Sequence, residues 1–306
     1  MSDISIEKLQ EALLRDTAAC IAEAEEGYHR RVDGVVRDLL GSGRRRVVLL
    51  AGPSSSGKTT TARILRDRLR EAGHPAVTVS LDDFYRNADD PVYPRHPDGS
   101  RDYESPLALH AEQVHACLDA VLSGAPYAVP QYDFRAASRA AETVELRIPD
   151  GGFLIVEGLH ALNPMFTDGL PREGLYGFFI SVSTNLTDKT GARVLSGRKI
   201  RFLRRLSRDY LYRGADAART YAMWQNVLDG EDRYLYPYRD RADSHLDTFH
   251  RYEVGVLRPY AERLLADPAA LQGEYLHTVR QALLHFPPLP VSCVPSDSLL
   301  REFLPG

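Results

Sequence analysis

The stretch "VVLLAGPSSSGKTTTARIL", Val47 to Leu65, places glycine, proline and three serines directly after a run of aliphatic residues. The run "VVLL" predicts a strand that is buried on both faces. Next, Gly52-x4-Gly57-Lys58-Thr59 has the spacing of a phosphate-binding loop, and a helix is predicted over 58–71. Glycines let backbone N–H groups turn toward an anion, and the helix adds its positive end. The stretch therefore predicts a strand, a phosphate-binding loop and a helix in succession.

The rest of the chain continues an α/β pattern. A second buried strand is predicted at 76–81, so the first helix connects two strands, which implies a parallel sheet. Further strands are predicted at 152–158, 177–183 and 244–249. The segment 127–149 alternates, turns at small residues and alternates again, which predicts an inserted β-hairpin. We expect a P-loop NTPase-type α/β fold with helices flanking the parallel sheet.

The composition excludes several classes of protein. The chain has 306 residues and a net charge of −4, which argues against binding nucleic acid through bulk electrostatics. No segment approaches the roughly 20 apolar residues that cross a bilayer, and the N-terminus lacks the apolar core of a signal peptide. The three cysteines are far apart in sequence, which suits a reducing compartment. We expect a soluble, cytoplasmic protein with no nucleic-acid or membrane partner.

The phosphate-binding loop predicts specific roles. Lys58 is expected to reach the β- and γ-phosphates of ATP or GTP, and the Thr59 hydroxyl to ligate Mg²⁺. The alternative is a Gly/Ser-rich turn without a ligand, which the flanking strand and helix make improbable. The residues expected to bind ATP in this loop are Gly52, Pro53, Ser54, Ser55, Ser56, Gly57, Lys58, Thr59 and Thr60.

Two predicted strands end in carboxylates, at the edge of a parallel sheet where ligands gather. "VTVSLDDFYR" places Asp82 and Asp83 there, and "FLIVEG" places Glu157. We assign proton acceptance from the acceptor hydroxyl to Asp82, and the magnesium shell to Glu157 together with Asp82. Asp83 is the weaker candidate base because consecutive strand residues face opposite ways. Turn chemistry alone is the alternative for either strand end.

A run of arginines follows in "GRKIRFLRRLSRDYLYRG". Arg201, Arg204, Arg205 and Arg208 fall at i, i+3, i+4 and i+7, which is one face of a helix. Such stacked charges favour a bound anion, and we expect an Arg-rich helical lid over the triphosphate, with Arg205 and Arg208 binding ATP. A solvated basic face is the alternative.

Six motifs in order resemble the uridine kinase family, within the phosphoribulokinase and uridine kinase group. They are "GPSSSGKTTTA", "SLDDFY", "DYESPLAL", "VPQYDF", "VEGLHALN" and "RFLRRLSRDYLYRG", and the likeness covers about residues 45–266. The tail "VPSDSLLREFLPG" is similar to the ending of a bacterial branch of uridine kinase-like nucleoside kinases.

The resemblance implies an acceptor site. Asp82 matches the family aspartate that takes the proton of the nucleoside 5′-hydroxyl, and Tyr85 is the aromatic that follows it. Glu104 and Arg201 match residues that bind the ribose, and Tyr132 matches an aromatic that packs near the base.

The resemblance also assigns phosphate to Arg204 and the neighbourhood of the magnesium ion to Glu157. With Asp82 and Lys58, the arginines Arg201 and Arg204 form the expected catalytic set. The chain departs from the family pattern at Ala137, where a base-reading histidine is usual, and at Arg219, where a glutamine is usual. These two departures leave the base of the acceptor open. A third departure is Lys199, which stands in place of an acid.

The sequence therefore predicts a nucleoside kinase that transfers the γ-phosphate of ATP or GTP to a ribonucleoside 5′-hydroxyl, most readily that of uridine or cytidine. The alternatives are a kinase of the same fold with a different acceptor, such as a sugar phosphate, and a nucleotide-binding module without catalysis. We divide the chain into a helical extension (1–44), a P-loop kinase domain (45–266) and a C-terminal helix and tail packed on it (267–306). A homo-oligomer is left open.

Overall fold

A computed structural model describes residues 3–134, 136–266 and 273–305. Within these ranges the centre of the molecule is a sheet of five parallel strands. In spatial order they are β10 (Ser244–Asp247), β7 (Leu175–Ser181), β2 (Val47–Ala51), β6 (Phe153–Gly158) and β3 (Ala76–Ser80). This sheet confirms the predicted α/β class with a parallel sheet.

The central strand β2 is buried along its whole length and serves two apolar cores. Because successive side chains point to opposite faces, Val48 and Leu50 enter one core, and Val47 and Leu49 enter the other. A strand with helices on both faces reads as a continuous aliphatic run, as "VVLL" does.

Helices cover both faces of the sheet. Those of the larger core are α1 (Ile6–Arg15), α2 (Thr17–Ser42), α3 (Lys58–Glu71), α6 (Gly197–Arg213), α7 (Ala217–Tyr234), α8 (Glu253–Leu264) and α9 (Glu274–Leu283). The opposite face carries α4 (Ala111–Ser123) and the short α5 (Pro164–Thr167). Across the described part of the chain, no helix combines the length and the apolar character that a membrane crossing requires.

The N-terminal residues pack into the larger core. A short strand β1 (Asp3–Ser5) pairs with β8 (Asn185–Thr187), which in turn pairs with β9 (Arg193–Leu195). Asp16 separates α1 from α2 because its side chain accepts a hydrogen bond from the Ala19 amide and so caps the second helix. Along α2, Tyr28 and Val32 are completely buried in that core.

Two further segments reach the carboxyl edge of the sheet. The hairpin of β4 (Tyr127–Asp133) and β5 (Ser138–Leu146) is antiparallel and lies beside the 3-10 turn Leu81–Phe84. After α9 the chain passes through a 3-10 turn at Val291–Cys293, and a second 3-10 turn at Leu299–Phe303 packs against α3 and α6. Of the segment predicted over 267–306, residues 267–272 and 306 lie outside the described residues.

Candidate active site

The loop between β2 and α3 has a backbone that only small residues accommodate. A Cβ atom on Gly52 would lie 2.3 Å from the Ile180 carbonyl oxygen, so only glycine fits there. Ser55 and Gly57 adopt left-handed φ angles of 59° and 90°. These turns begin α3 at Lys58 and leave amide groups available at its positive end.

Three consecutive carbonyl groups of this loop accept hydrogen bonds from side chains on its protein side. Arg201 donates to the Ser54 carbonyl at 2.9 Å and Arg204 to that of Ser55 at 3.3 Å. The Thr248 hydroxyl donates to the Ser56 carbonyl at 2.8 Å. These three hydrogen bonds restrict the conformation of the loop from the protein side.

The same two arginines are paired with buried carboxylates. Arg201 forms a two-pronged pair with Glu231, with both nitrogen–oxygen distances at 2.7 Å, and Glu231 also accepts from the Ser54 amide at 2.9 Å. Arg204 pairs with Glu253, and both side chains are fully buried.

Neither arginine lines the cavity described below. Each guanidinium group is held by an acid on a neighbouring helix, Glu231 or Glu253. In this arrangement both arginines hold the loop from the protein side. Their contact with the ribose and the migrating phosphate stays a prediction.

One cavity of about 760 Å³ opens at the carboxyl edge of the sheet, in front of the loop. It joins the phosphate-binding loop to the ends of β3 and β6, to the hairpin and to the last turns of α6. The predicted residues that line it are Ser54, Ser55, Gly57, Lys58, Thr59, Asp82, Tyr85, Glu104, Glu157, Arg205 and Arg208.

The other predicted loop residues lie around this cavity rather than on its wall. Gly52, Pro53 and Ser56 belong to the loop but are buried and are not on the cavity wall. Thr60 lies on the first turn of α3 and is 8% exposed. Its hydroxyl donates to Glu302, a residue that does line the cavity, at 2.8 Å.

Glu157 is the carboxylate that contacts Thr59 on the first turn of α3. Its Oε1 atom accepts from the Thr59 hydroxyl at 3.3 Å and from the Ser80 hydroxyl at 3.1 Å. Burial raises the pKa of Glu157 to about 7, although the nearby Lys58 ammonium opposes the shift. A carboxyl group in this state is stabilised as an anion by a further cation.

Asp82 follows β3 and reaches the solvent inside the cavity. The surrounding protein still raises the pKa of Asp82, and the charges of Lys58, Arg213 and Arg208 oppose that rise. Asp83 points elsewhere, since its carboxylate accepts the backbone amide of Tyr132 in the hairpin. The structure thus brings Asp82 together with Lys58 and leaves Asp83 outside the cavity wall.

Four cations and four carboxylates share the cavity wall. The Lys58 ammonium donates to the Pro53 carbonyl at 3.3 Å, and Arg205 donates to the Ser54 hydroxyl at 2.8 Å. The remaining cations are Arg208 and Arg213, and the carboxylates are Asp82, Glu104, Glu157 and Glu302. The cations lie on the loop and on the last turns of α6, so positive charge faces the loop's open side.

The predicted lid helix is largely fixed in place. Ile200, Phe202 and Leu203 are completely buried in the larger core, so the first half of α6 is part of the packed fold. Arg205, Arg208, Tyr212 and Arg213, from the second half of α6, line the cavity. Closure of this helix over a triphosphate stays a prediction.

Aromatic side chains form the end of the cavity away from the loop. Tyr85 and Phe134 line it, and the Tyr85 hydroxyl donates to the Tyr103 carbonyl at 3.0 Å. Tyr132 is not on the cavity wall, since its ring packs behind Tyr85 and Phe134, with centroids 5.7 and 5.0 Å away. Glu104 lies beside these rings, and burial raises its pKa to about 7.

The three positions that depart from the family pattern also lie off the cavity wall. Ala137 turns the hairpin with a φ of 51°, and its carbonyl accepts from the Ala88 amide. Arg219 is exposed on the first turn of α7. The Lys199 ammonium lies 5.7 Å from the centre of the Tyr275 ring.

The residues at the loop fit a magnesium ion that is completed by phosphate oxygens. The described residues contain no cluster of three or more His, Cys, Asp or Glu side chains arranged to hold a metal. Thr59, Glu157 and Asp82 offer one hydroxyl and two carboxylates, which are the hard oxygen ligands that Mg²⁺ takes alongside substrate phosphates.

Some residues of the cavity wall were not among the predicted site residues. Phe134, Tyr212, Arg213 and Glu302 are on the wall. Phe134 belongs to the quoted motif "VPQYDF", and Glu302 belongs to the tail "SLLREFLPG", so a family likeness marks both regions. No local pattern indicates that the tail returns to the loop.

The chain is similar in sequence and in fold to known proteins. Residues 47–254 match the model of the family described as "Phosphoribulokinase / Uridine kinase family". Uridine kinase of Halobacterium salinarum is 27% identical over 195 residues, which are 63% of this chain and 76% of that protein. Uridine/cytidine kinase UKL1, chloroplastic, of Arabidopsis thaliana is 28% identical over 198 residues, which are 64% of this chain and 36% of that protein.

Among solved structures, one described as a fructose transport system kinase from Silicibacter sp. TM1040 superimposes with a TM-score of 0.50 at 19% identity. The match covers 70% of this chain and 98% of that one. At this level of identity the likeness supports the fold and leaves the acceptor open.

Proposed function

Because the chain belongs to the phosphoribulokinase and uridine kinase family, we propose that it phosphorylates the 5′-hydroxyl of a ribonucleoside, with uridine or cytidine as acceptor. The chain is an ATP-dependent phosphotransferase of the kinase class. Beyond this activity, we propose the nucleoside as acceptor and a role for each residue of the site.

One observation carries the proposal. Lys58 and Thr59 of the phosphate-binding loop share a single cavity with Asp82, and the same cavity continues to Glu104 and Tyr85. A nucleotide-binding module needs only the loop, whereas transfer requires a second ligand within reach of the terminal phosphate. The continuous cavity supports two ligands held side by side.

Asp82 is the proposed proton acceptor. It lies on the cavity wall among Lys58, Arg208 and Arg213, and its pKa is raised by the surrounding protein. A carboxylate with a raised pKa is a better base than one in water, so Asp82 can orient the acceptor hydroxyl and take its proton as transfer proceeds.

The loop and the last turns of α6 are proposed to hold the triphosphate. Lys58, Arg205 and Arg208 place positive charge around the migrating group, where negative charge spreads over the equatorial oxygens. Thr59 and Glu157 would hold Mg²⁺, and the Asp82 carboxylate lies close enough to act on Glu157. An ion held there would neutralise charge on the β- and γ-phosphates.

The aromatic end of the cavity suits a nucleoside. Tyr85 and Phe134 offer ring faces and edges to a planar base, and Glu104 offers oxygen atoms to vicinal ribose hydroxyls. Tyr132 packs against both rings and is proposed to help position them for the base.

The test is a panel of acceptors. Purified protein is incubated with Mg²⁺, with ATP or GTP, and with each of uridine, cytidine, adenosine, guanosine and ribose 5-phosphate, and nucleoside 5′-monophosphate and ADP or GDP are measured. We expect uridine or cytidine to give the highest rate, and EDTA to abolish it. Turnover confined to the sugar phosphate, or nucleotide binding without turnover for any acceptor, would contradict the proposal.

A further inference from the structure

The C-terminal segment Ser298–Leu304, here called the tail clasp, packs directly on the phosphate-binding loop. Leu299 is completely buried, and its side chain fills the space that a Cβ atom on Gly57 would need, with a distance of 2.5 Å to its nearest carbon. The Ser298 hydroxyl donates to Glu25 at 2.6 Å inside the core.

The tail clasp is also tied to α6 on the far side of the loop. The Ser207 hydroxyl donates to the Phe303 carbonyl at 2.6 Å, and the Tyr212 hydroxyl donates to the Leu304 carbonyl. The Arg204 guanidinium lies 5.2 Å from the centre of the Phe303 ring. The segment is thus anchored on both sides of Glu302.

Glu302 is the residue of the tail clasp that enters the cavity. It is partly exposed there, and it accepts the Thr60 hydroxyl at 2.8 Å. Its charge is close enough to influence Glu157 and Arg213, which lie on the same wall. A carboxylate is therefore present beside a site whose loop is built for phosphates.

The direction of the bound donor follows from the first turn of α3. Lys58 and Thr59 face the terminal phosphates and the magnesium ion, on the side of Glu157 and Asp82. Thr60 is one residue further along the helix, about 100° around its axis, and faces the tail clasp instead. If the terminal phosphates lie beside Glu157 and Asp82, the remaining side of this turn that has a polar group on the cavity wall is that of Thr60 and Glu302, and we place the nucleoside end of the donor there.

We propose that Glu302 binds the ribose hydroxyls of the phosphoryl donor, so that the tail clasp completes the donor side of the active site. The inference rests on the proposed function only in requiring a ribonucleoside triphosphate as donor. It assigns a donor-specificity role to a segment that lies beyond the residues matched by the family model.

The chemistry favours a sugar over a phosphate as the partner of Glu302. The Thr60 hydroxyl has one proton to donate, so a phosphate oxygen and the Glu302 carboxylate compete for it. When phosphate takes that proton, like charges disfavour close contact with Glu302, whereas two neighbouring hydroxyl groups can each donate to its oxygens. In the complex, Glu302 would exchange the Thr60 hydroxyl for the ribose hydroxyl groups.

The experiment measures equilibrium binding, which needs no acceptor. ATP, 2′-deoxy-ATP, 3′-deoxy-ATP and inorganic tripolyphosphate are titrated by calorimetry into the wild type, Glu302→Gln and Glu302→Ala. Asp297→Asn is the matched control, because Asp297 lies in the same tail, is largely exposed and is not on the cavity wall.

We expect the wild type to bind ATP about 10-fold or more tightly than at least one deoxy donor, the size of a hydrogen bond to a charged group. In Glu302→Ala that ratio should fall toward one, with tripolyphosphate bound as tightly as before or more tightly. Asp297→Asn should match the wild type.

Two results would overturn the inference. An unchanged ATP-to-deoxy ratio in Glu302→Ala means that the carboxylate does not contact the ribose. Tighter ATP binding in both Glu302 variants means that the carboxylate only repels the donor. The ratio of ATP binding to deoxy-ATP binding can be measured even if no acceptor in the panel is phosphorylated. The two proposals can therefore be refuted separately.

Discussion

Asp82 combines a position on the cavity wall with a raised pKa, and this combination leads to a kinetic prediction. Asp82→Asn keeps the shape of the side chain and removes the base. We expect kcat to fall by roughly 10²- to 10⁴-fold while ATP affinity changes little, because the loop and its cations are intact. Steady-state rates and calorimetric ATP binding check this.

Asp83→Asn is the neighbouring control, since Asp83 interacts with the hairpin amide of Tyr132 and not with the cavity. It should retain most of the turnover. If Asp82→Asn instead weakens ATP binding as much as it slows turnover, then Asp82 holds the nucleotide or its metal and is not the base.

Glu104 yields a prediction about stability and pH. Its pKa is about 7 in the folded protein, against 4.5 for an unperturbed glutamate, because burial disfavours the anion. Between these values the folded state holds a proton that the unfolded state has lost, so the contribution of Glu104 to the free energy of unfolding decreases as pH rises from about 4.5 to 7.

Glu104→Gln cannot ionise. We expect this variant to gain stability relative to the wild type between pH 5 and pH 8, by on the order of 1 kcal/mol or more at the upper end. Urea unfolding at both pH values measures the difference, and Glu142→Gln, at an exposed hairpin position, is the control. Parallel pH curves for Glu104→Gln and the wild type would refute the prediction.

At the scale of elements, the sequence predicts the basic face of α6 but not the partners of its arginines. The spacing of Arg201, Arg204, Arg205 and Arg208 predicts a helix with a basic side, and α6 has it. Two of these arginines are buried in ion pairs and two line the cavity. The buried pairs depend on Glu231 and Glu253, which are 30 and 49 residues away in sequence from the arginines they bind. Local periodicity carries no information about such distant partners.

This division predicts opposite phenotypes for two arginines on one helix. Arg201→Ala leaves Glu231 buried without its partner, and we expect the free energy of unfolding to fall by about 3–5 kcal/mol. Arg208→Ala removes a cation from the cavity wall, while Asp209 keeps its ion pairs with Arg205 and Arg213.

For Arg208→Ala we therefore expect stability within about 1 kcal/mol of the wild type and a KM for ATP raised by about 10-fold. Urea unfolding and steady-state kinetics of both variants separate the two roles. A strongly destabilised Arg208→Ala together with a stable Arg201→Ala would show that the division is wrong.

At the scale of the whole molecule, the parallel sheet follows from "VVLL" and its successors because strands buried on both faces need uninterrupted aliphatic runs. The placement of the chain ends does not follow in the same way. Segments that are far apart in sequence meet where Leu299 contacts Gly57 and where Tyr28 contacts Thr61. The local sequence of these segments does not predict which residues they contact. Contacts of this kind can therefore be read only from the three-dimensional structure.

The shared core predicts that the N-terminal helices and the sheet unfold together. Tyr28 is completely buried, and its hydroxyl lies 2.8 Å from that of Thr61, which in turn donates to the Gly57 carbonyl. We expect far-UV circular dichroism and the fluorescence of Trp224, the single tryptophan, to give coincident urea transitions.

Tyr28→Phe should shift both transitions equally, by about 1 kcal/mol, because one buried hydrogen bond is lost and Thr61 keeps its bond to Gly57. Two separate transitions, or a shift seen by only one probe, would mean that α2 is an independent unit.

The three carbonyl groups held by Arg201, Arg204 and Thr248 have a kinetic consequence. A phosphate-binding loop that is already ordered loses little conformational entropy when the nucleotide binds. We therefore expect the association rate constant of the nucleotide to be close to the diffusion limit. Removing any of these three hydrogen bonds should first lower the association rate constant of the donor nucleotide. The rate constant of phosphoryl transfer itself should not change.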